Sequence, residues 1–469
     1  MSQPKKWTDV SIELIKDPDS FELWQQLIIS AEHNDKNGIS KSTPPPQLQT
    51  LRTSYDRFLT KYPYMYKYWI RYAEWEFKLT DVSTAIKLYE DAFQHLNYCI
   101  ELWVNYLQFR INTITDNVEQ VLGLFEKARG LIGNHFYAYE FYTLYLSFLE
   151  SYATEENQYR RKYFTLMRIV LDVPLYHYEY FYKKYFELIA RVGGGGDAKL
   201  HSDLQYIVPA SELQRQSKNL QQQLKKTFTD SYITIQYKVY ELYHFEKRFK
   251  RHYNDVKYIS RQQLDAWLQY FDFLELKKYP QSYIELDYWR YLYIAANYPE
   301  SWIKFADYFV FHGKYNSARQ LLIRGWKYLG HYQVLIKLID LEIFLKQFVR
   351  AKELLITYLK YTVSIPIPIY EKLICIERIF NDNDDHILNL FKLIIEDTQI
   401  DWFFNVLTYY AIDKQKKLAF LEEMSDFKGQ KYYDNIWKLV SEEINGDGEV
   451  QQPTPNFSKE YERLLQSIQ

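Results

Sequence analysis

The residues with the greatest chemical reach in this sequence are aromatic, and they come in strings. Trp69, Tyr72, Trp75 and Glu76 form a Trp-x-x-Tyr-x-x-Trp-Glu pattern, and Trp103, Tyr106, Phe109 and Arg110 repeat it with Arg in place of Glu. Rings in such a stripe can stack on the bases of single-stranded RNA, or they can pack helices together. Spacings of three and four put them on one helix face. Leu, Ile and Ala recur on the matching face of the following segment, which is what packing requires. Trp24, Trp69, Tyr72, Trp75, Trp103, Tyr106, Trp267, Tyr270 and Trp302 are therefore read as repeat core, with Ala92 and Ala128 letting paired helices approach closely. Each buried ring should contribute about 1.5–3 kcal/mol.

Other chemistry finds less support. Glu76 lies seven residues after Trp69 and nearly on its face, so its carboxylate must meet an Arg or a Tyr hydroxyl of the adjacent helix, or reach the rim. Neighbouring copies carry Glu or Arg there without a His or Asp companion, so structural pairing is expected and no catalytic residue is assigned. The ten His, among them His95, His135, His177 and His244, include no His-Glu-x-x-His pair and no second ligand at short spacing, so no metal site is expected. Cys99 and Cys375 are the only cysteines. They stand far apart, which fits a reducing compartment and excludes a disulfide framework. Gly193–Gly196 lacks the Gly-Lys-Ser/Thr ending of a phosphate loop, and no cofactor is implied. Arg160–Lys162 and Lys247–His252 read as solvated helix faces first, and as marginal contacts to RNA or an acidic partner second.

The elements that hold these residues are helices. Aromatic residues make up 19 % of 469 residues while Gly and Pro number 14 each, too few breakers for a sandwich, barrel or Rossmann fold. The aromatic string recurs after 34 residues from Trp69 to Trp103 and after 35 from Trp267 to Trp302. A period of that size predicts an all-α solenoid of helical hairpins. Pro18, Pro63 and Pro299 fall just before helix A of a unit, where a helix starts but cannot continue. Further copies are read at Phe141–Phe148 with Tyr159–Val170, at Tyr370–Ile376 with Ile387–Ile395, and from Trp402 onward, the signature fading into Leu and Ile past Gly325. The expected organisation is an N-terminal repeat block over 1–192, a Gly-rich and polar linker over 193–226, a C-terminal repeat block over 227–444, and a tail over 445–469 with a short helix at Ser458–Ser467. A formal net charge of −2 argues against extensive direct RNA binding. No run of 18 apolar residues and no signal-type apolar stretch follow Met1, so a soluble intracellular protein without a membrane partner is expected.

The Trp-x-x-Tyr-x-x-aromatic-Glu string followed by Tyr-Glu-x-Ala resembles the HAT (half-a-tetratricopeptide) repeat. Stretches Ser42–Leu48, Phe58–Pro63, Glu76–Ser83, Ile169–Leu175 and Tyr237–Glu246 are similar to the pre-mRNA-processing factor 42 and factor 39 family of the fungal U1 small nuclear ribonucleoprotein, over residues 20 to 330, with a lean toward factor 42. The resemblance implies a nuclear, non-catalytic scaffold subunit acting in pre-mRNA splicing. It implies dimerisation through the C-terminal repeats, with itself or with its paralogue. It also implies contacts to U1 proteins such as the C protein and to auxiliary splicing factors, bracing the particle at the 5′ splice site, with U1 RNA met mainly indirectly. Trp402, Phe403, Tyr409 and Tyr410 are rich enough in rings to anchor a dimer, or else they form ordinary terminal-repeat core. Three alternatives remain: a HAT scaffold of 3′-end cleavage or ribosomal RNA processing, a direct RNA reader, and a prenyltransferase α-type helical subunit. The last lacks its Asn-Tyr-x-x-Trp series here.

Overall fold

The computed structural model describes residues 6–33, 38–113, 117–153, 158–192, 206–207, 220–362 and 365–445. Among them are 22 α-helices, one short 3-10 turn and no strand. The Gly193–Gly196 run and the terminal Ser458–Ser467 segment lie outside the described residues. In chain order the helices are α1 (Trp7–Lys16), α2 (Phe21–His33), α3 (Pro45–Lys61), α4 (Tyr66–Leu79), α5 (Val82–Leu96), α6 (Ile100–Asn112), α7 (Val118–Ile132), α8 (Tyr139–Tyr152), α9 (Gln158–Leu171), α10 (Tyr178–Val192), α11 (Leu220–Glu246), α12 (Arg261–Leu276) and α13 (Gln281–Ala295). These belong to a first compact unit that ends at Ala296. A second unit, from Asn297, holds α14 (Pro299–Phe311), α15 (Tyr315–Leu329), α16 (Tyr332–Phe344), α17 (Phe348–Tyr361), α18 (Ile367–Phe380), α19 (Asp384–Thr398), α20 (Trp402–Thr408), α21 (Lys414–Glu423) and α22 (Lys431–Asn445).

Successive helices pair as hairpins: α2 with α3, α4 with α5, α6 with α7, α8 with α9, α10 with α11 and α12 with α13 in the first unit, then α14 with α15, α16 with α17 and α18 with α19 in the second. The last two helices before the end, α20 and α21, both pack on α22. Local sequence sets the starts. The Asp81 carboxylate accepts from Thr84 N–H at 2.7 Å to cap α5, and Asn117, Asn383 and Asp413 cap α7, α19 and α21 in the same way. Pro45 and Pro299 occupy the first helical turn, where the missing N–H costs nothing.

Pro18 and Pro63 each stand six residues before a Trp, and the indole N–H gives that offset its cause. Trp24 Nε1 donates to the Pro18 carbonyl at 2.9 Å and Trp69 Nε1 to that of Pro63 at 2.9 Å. In the third copy Trp103 donates to Asn97 at 2.7 Å, so the bond needs the turn's carbonyl and not the proline ring. Each indole thus ties helix A to the turn that precedes it while its ring enters the core. In the second unit the close approach is made by a glycine: a Cβ added at Gly325 of α15 would come within 2.6 Å of the Trp302 ring of α14.

Trp103, Tyr106, Trp267, Tyr270, Trp302, Ala92 and Ala128 are at most 2 % exposed, and Trp24, Trp69 and Tyr72 are buried. Trp75 differs. It is half-buried and donates Nε1 to Glu32 Oε1 at 2.8 Å, with Lys78 against its ring, so its place is the polar edge of the stack. Past Gly330 the seam passes to Leu335, Ile339, Ala351, Leu355, Ile369 and Ile376. The helix α11 begins at Leu220, so the last residues of the segment expected as linker are helical, and the compact units meet at 296/297.

Candidate interaction surfaces

Glu76 is 1 % exposed, and it receives Arg52 Nε at 2.8 Å and Nη2 at 2.9 Å, with Thr80 Oγ1 donating at 2.8 Å. The same two-pronged pair joins Arg319 to Glu342 at 2.6 and 2.9 Å, and a single bond of 2.8 Å joins Lys352 to Glu377. In all three the cation sits on the second helix of one hairpin and the carboxylate near the end of the first helix of the next. Glu32 plays a related part, accepting from Tyr55 Oη, Arg71 and Trp75. A buried carboxylate is tolerated only with such partners, so these positions clamp one hairpin to the next. Arg52 and Arg319 were not legible as partners from spacing alone. They lie 24 and 23 residues from their carboxylates, on a different hairpin, and only the stacking of one hairpin on the next brings them together.

Another knot lies deeper. Arg290 on α13 binds Glu246 at 2.7 and 2.9 Å and Asp287 at 2.6 Å, all three side chains being buried, and Tyr270 donates to Asp287 at 2.9 Å. Burial pushes the Asp287 carboxyl up to about 6, against the pull of Arg290. Beside this knot, within the first unit, is a cleft of about 370 Å³ lined in part by Tyr64, Tyr66, Tyr137, His135, His252 and Arg290. Several of its polar groups are held in structural bonds. Tyr137 N–H donates to His135 Nδ1 at 3.1 Å, which fixes the Nε2–H tautomer, and burial with the nearby Arg290 charge keeps that ring neutral well below its ordinary value. The Cys99 thiol donates to Glu101 at 3.3 Å, and burial pushes its pKa up, away from thiolate chemistry. The cleft can receive a side chain, but it presents no activated nucleophile with a base.

The two basic stretches fare differently. Arg161 in α9 lies over the Tyr206 ring at 5.2 Å. Lys247–His252 is not a helix face: α11 stops at Glu246 because Phe249 turns in to stack on Trp267 at 3.8 Å, leaving Lys247, Arg248 and Lys250 exposed on a loop. At the C-terminal end, Phe403 is fully buried in its own unit's core, so it gives packing and no outward anchor. Trp402 is half-buried, donating to Glu371 at 2.7 Å, and Tyr410 is half-buried against Phe391. Tyr409 is 40 % exposed. Among the described residues no group of three or more His, Cys, Asp or Glu could hold a metal ion, and no helix is long and apolar enough to cross a membrane.

A model of the PRP39 N-terminal HAT repeat matches residues 8–187, and one of the PRP39 C-terminal HAT repeat matches 240–378. The chain belongs to the PRP39 HAT-repeat family. The match runs past residue 330, beyond the reach of the aromatic signature. Among PRP39-family relatives, pre-mRNA-processing factor 39 of Schizosaccharomyces pombe is 26 % identical over 65 % of this chain and 52 % of its own length. The U1 small nuclear ribonucleoprotein component PRP42 of Saccharomyces cerevisiae is 25 % identical over 93 % of this chain and 77 % of its own. Human factor 39 is 23 % identical over 63 % of this chain and 46 % of its own. The chain thus spans about half the length of the factor 39 relatives it matches. A crystal structure of CstF-77 covers 86 % of this chain and 89 % of that one at 11 % identity, with a TM-score of 0.39, too low to carry an argument.

Proposed function

We propose that this protein is a non-catalytic scaffold subunit of the U1 small nuclear ribonucleoprotein, acting in the nucleus in pre-mRNA splicing. The observation that carries the proposal is the match to a U1 component over 93 % of this chain, together with the family models on both sides of the central segment. The geometry fits the role. Buried carboxylates, His135 and Cys99 are all held by structural partners, and within each unit stacked hairpins offer surface on which partners are placed. Protein–protein contacts then brace the particle at the 5′ splice site, with the C protein and auxiliary splicing factors as partners and U1 RNA met mainly through them. Affinity purification of the full chain followed by RNA sequencing tests this: enrichment of U1 RNA is expected, and its absence removes the splicing assignment.

Dimerisation through the C-terminal repeats, with a second copy or a paralogue, belongs to the same proposal. Tyr409, with Trp402 and Tyr410 beside it, offers the contact surface, and Phe403 supports it from below. Sedimentation of a Trp402→Ala/Tyr409→Ala variant should show monomer, and an unchanged dimer contradicts these anchors.

A further inference from the structure

Helix α11 has apolar side chains on two opposite faces. Its inner stripe, Leu224, Phe228, Ile235, Val239 and Leu242, is buried against its neighbours. Two residues along a helix turn about 200°, so the positions two before Ile235, Val239 and Leu242 point away from that core. These are Ile233, Tyr237 and Tyr240, and they are 55, 60 and 73 % exposed. A helix that is apolar all round ordinarily has both faces covered. The four-then-three spacing of Ile233, Tyr237 and Tyr240 is that of a helix–helix seam. A groove of about 540 Å³ runs beside it, between α11 and the turn from α12 to α13, and Leu276 at the end of α12 stands 81 % exposed.

The charge lining the groove is net positive. Lys238, Lys277 and Lys278 line the groove against a single carboxylate, Glu241, which already binds Lys277 at 2.8 Å. The exposed Lys247 and Lys250 follow the seam's C-terminal end. We propose that the outer face of α11 docks an acidic amphipathic helix of a partner protein. Its apolar residues lie along Ile233, Tyr237 and Tyr240, and its carboxylates meet the lysines. RNA is the weaker fit: the groove holds no Arg to fork onto phosphates, and one of its three lysines, Lys277, is already paired with Glu241.

The inference deepens the scaffold reading and rests on it. The test places a photoreactive benzoylphenylalanine at Tyr237 in the full chain, purifies the native assembly after irradiation, and identifies the cross-linked product by mass spectrometry. The expected product is a segment of another protein with net negative charge and apolar residues at three- and four-residue spacing. Its yield should fall at least about tenfold in Lys238→Glu/Lys278→Glu, with an unchanged melting temperature because these side chains are exposed. Cross-links to RNA overturn the proposal. So do cross-links to this chain's own residues 193–219 or 446–469, or a yield no higher than from the same probe at exposed Leu393. Missing U1 RNA in the purified assembly would sink the splicing assignment and leave the cross-link result standing, so the two failures are distinguishable.

Discussion

In the first unit the leading hairpins are keyed by indoles that bond a turn carbonyl six residues back, at Trp24, Trp69 and Trp103. In the second unit, past Gly330, the corresponding helices present Leu335, Tyr370 and Phe403, which have no indole N–H to place. Both units bury apolar faces, but in the first a polar bond also fixes which turn of the helix meets which loop. Directional keys specify register, and aliphatic seams specify only burial. The directional devices of the second unit are side-chain pairs instead: the Arg319–Glu342 clamp, where Arg350 Nε lies 3.5 Å from the same carboxylate, the Lys352–Glu377 pair, and the Trp402 indole on Glu371.

Single substitutions can break this comparison. The largest effect is expected for Arg290→Ala, which leaves Glu246 and Asp287 buried without their cation and should cost about 3–5 kcal/mol. Arg319→Ala, relieved by Arg350, should cost about half as much. Hydrogen exchange read peptide by peptide separates the units, and equal losses in both would erase the distinction. Next comes Trp103→Phe, which keeps a ring but strands the Asn97 carbonyl, at about 1–3 kcal/mol. Its counterpart Leu335→Met should stay below about 1.5 kcal/mol. Urea midpoints of the two variants give the comparison directly.

Gly325→Ala drives a methyl into Trp302 and should cost about 1–3 kcal/mol, with exchange quickened in α14 and α15 alone. A smaller effect is set by pH. His135 titrates in the folded chain well below its ordinary 6.5, so below that pH the unfolded chain binds the extra proton and stability falls as pH falls. The slope approaches about 1.4 kcal/mol per pH unit. His135→Gln should flatten the first unit's urea midpoint between about pH 7.5 and 5.5, and an unchanged slope removes His135 as the cause. The smallest effect is expected on the outer seam of α11, where Tyr240→Ala should shift stability by less than about 0.5 kcal/mol.

The same contrast decides what could be read from the sequence. Trp, Tyr and Pro at fixed offsets announced the hairpins through α7 and again at α12 and α14, because each of these residues has a geometry to satisfy. The structural need of Glu76 for a partner was also legible, since a carboxylate on an apolar face must be paired. That its partner is Arg52 was not, because a pair between hairpins depends on how one stacks on the next. The sequence leaves Phe403 between dimer anchor and terminal-repeat core, since a Trp-Phe-Phe run looks the same on a surface as in a core, and only the packing of α20 on α22 turns it inward. The exposed stripe of α11 was hidden for the opposite reason: Ile233, Tyr237 and Tyr240 look like core until Ile235, Val239 and Leu242 are seen to fill it.

The central claim is that this stack of hairpins works through protein surfaces and does not grip RNA itself. Filter binding of the purified full chain to bare U1 RNA across a salt series tests it most directly. Weak binding with a shallow salt dependence is predicted from a net charge of −2 and scattered lysines. Nanomolar affinity with a steep loss as salt rises would contradict the account.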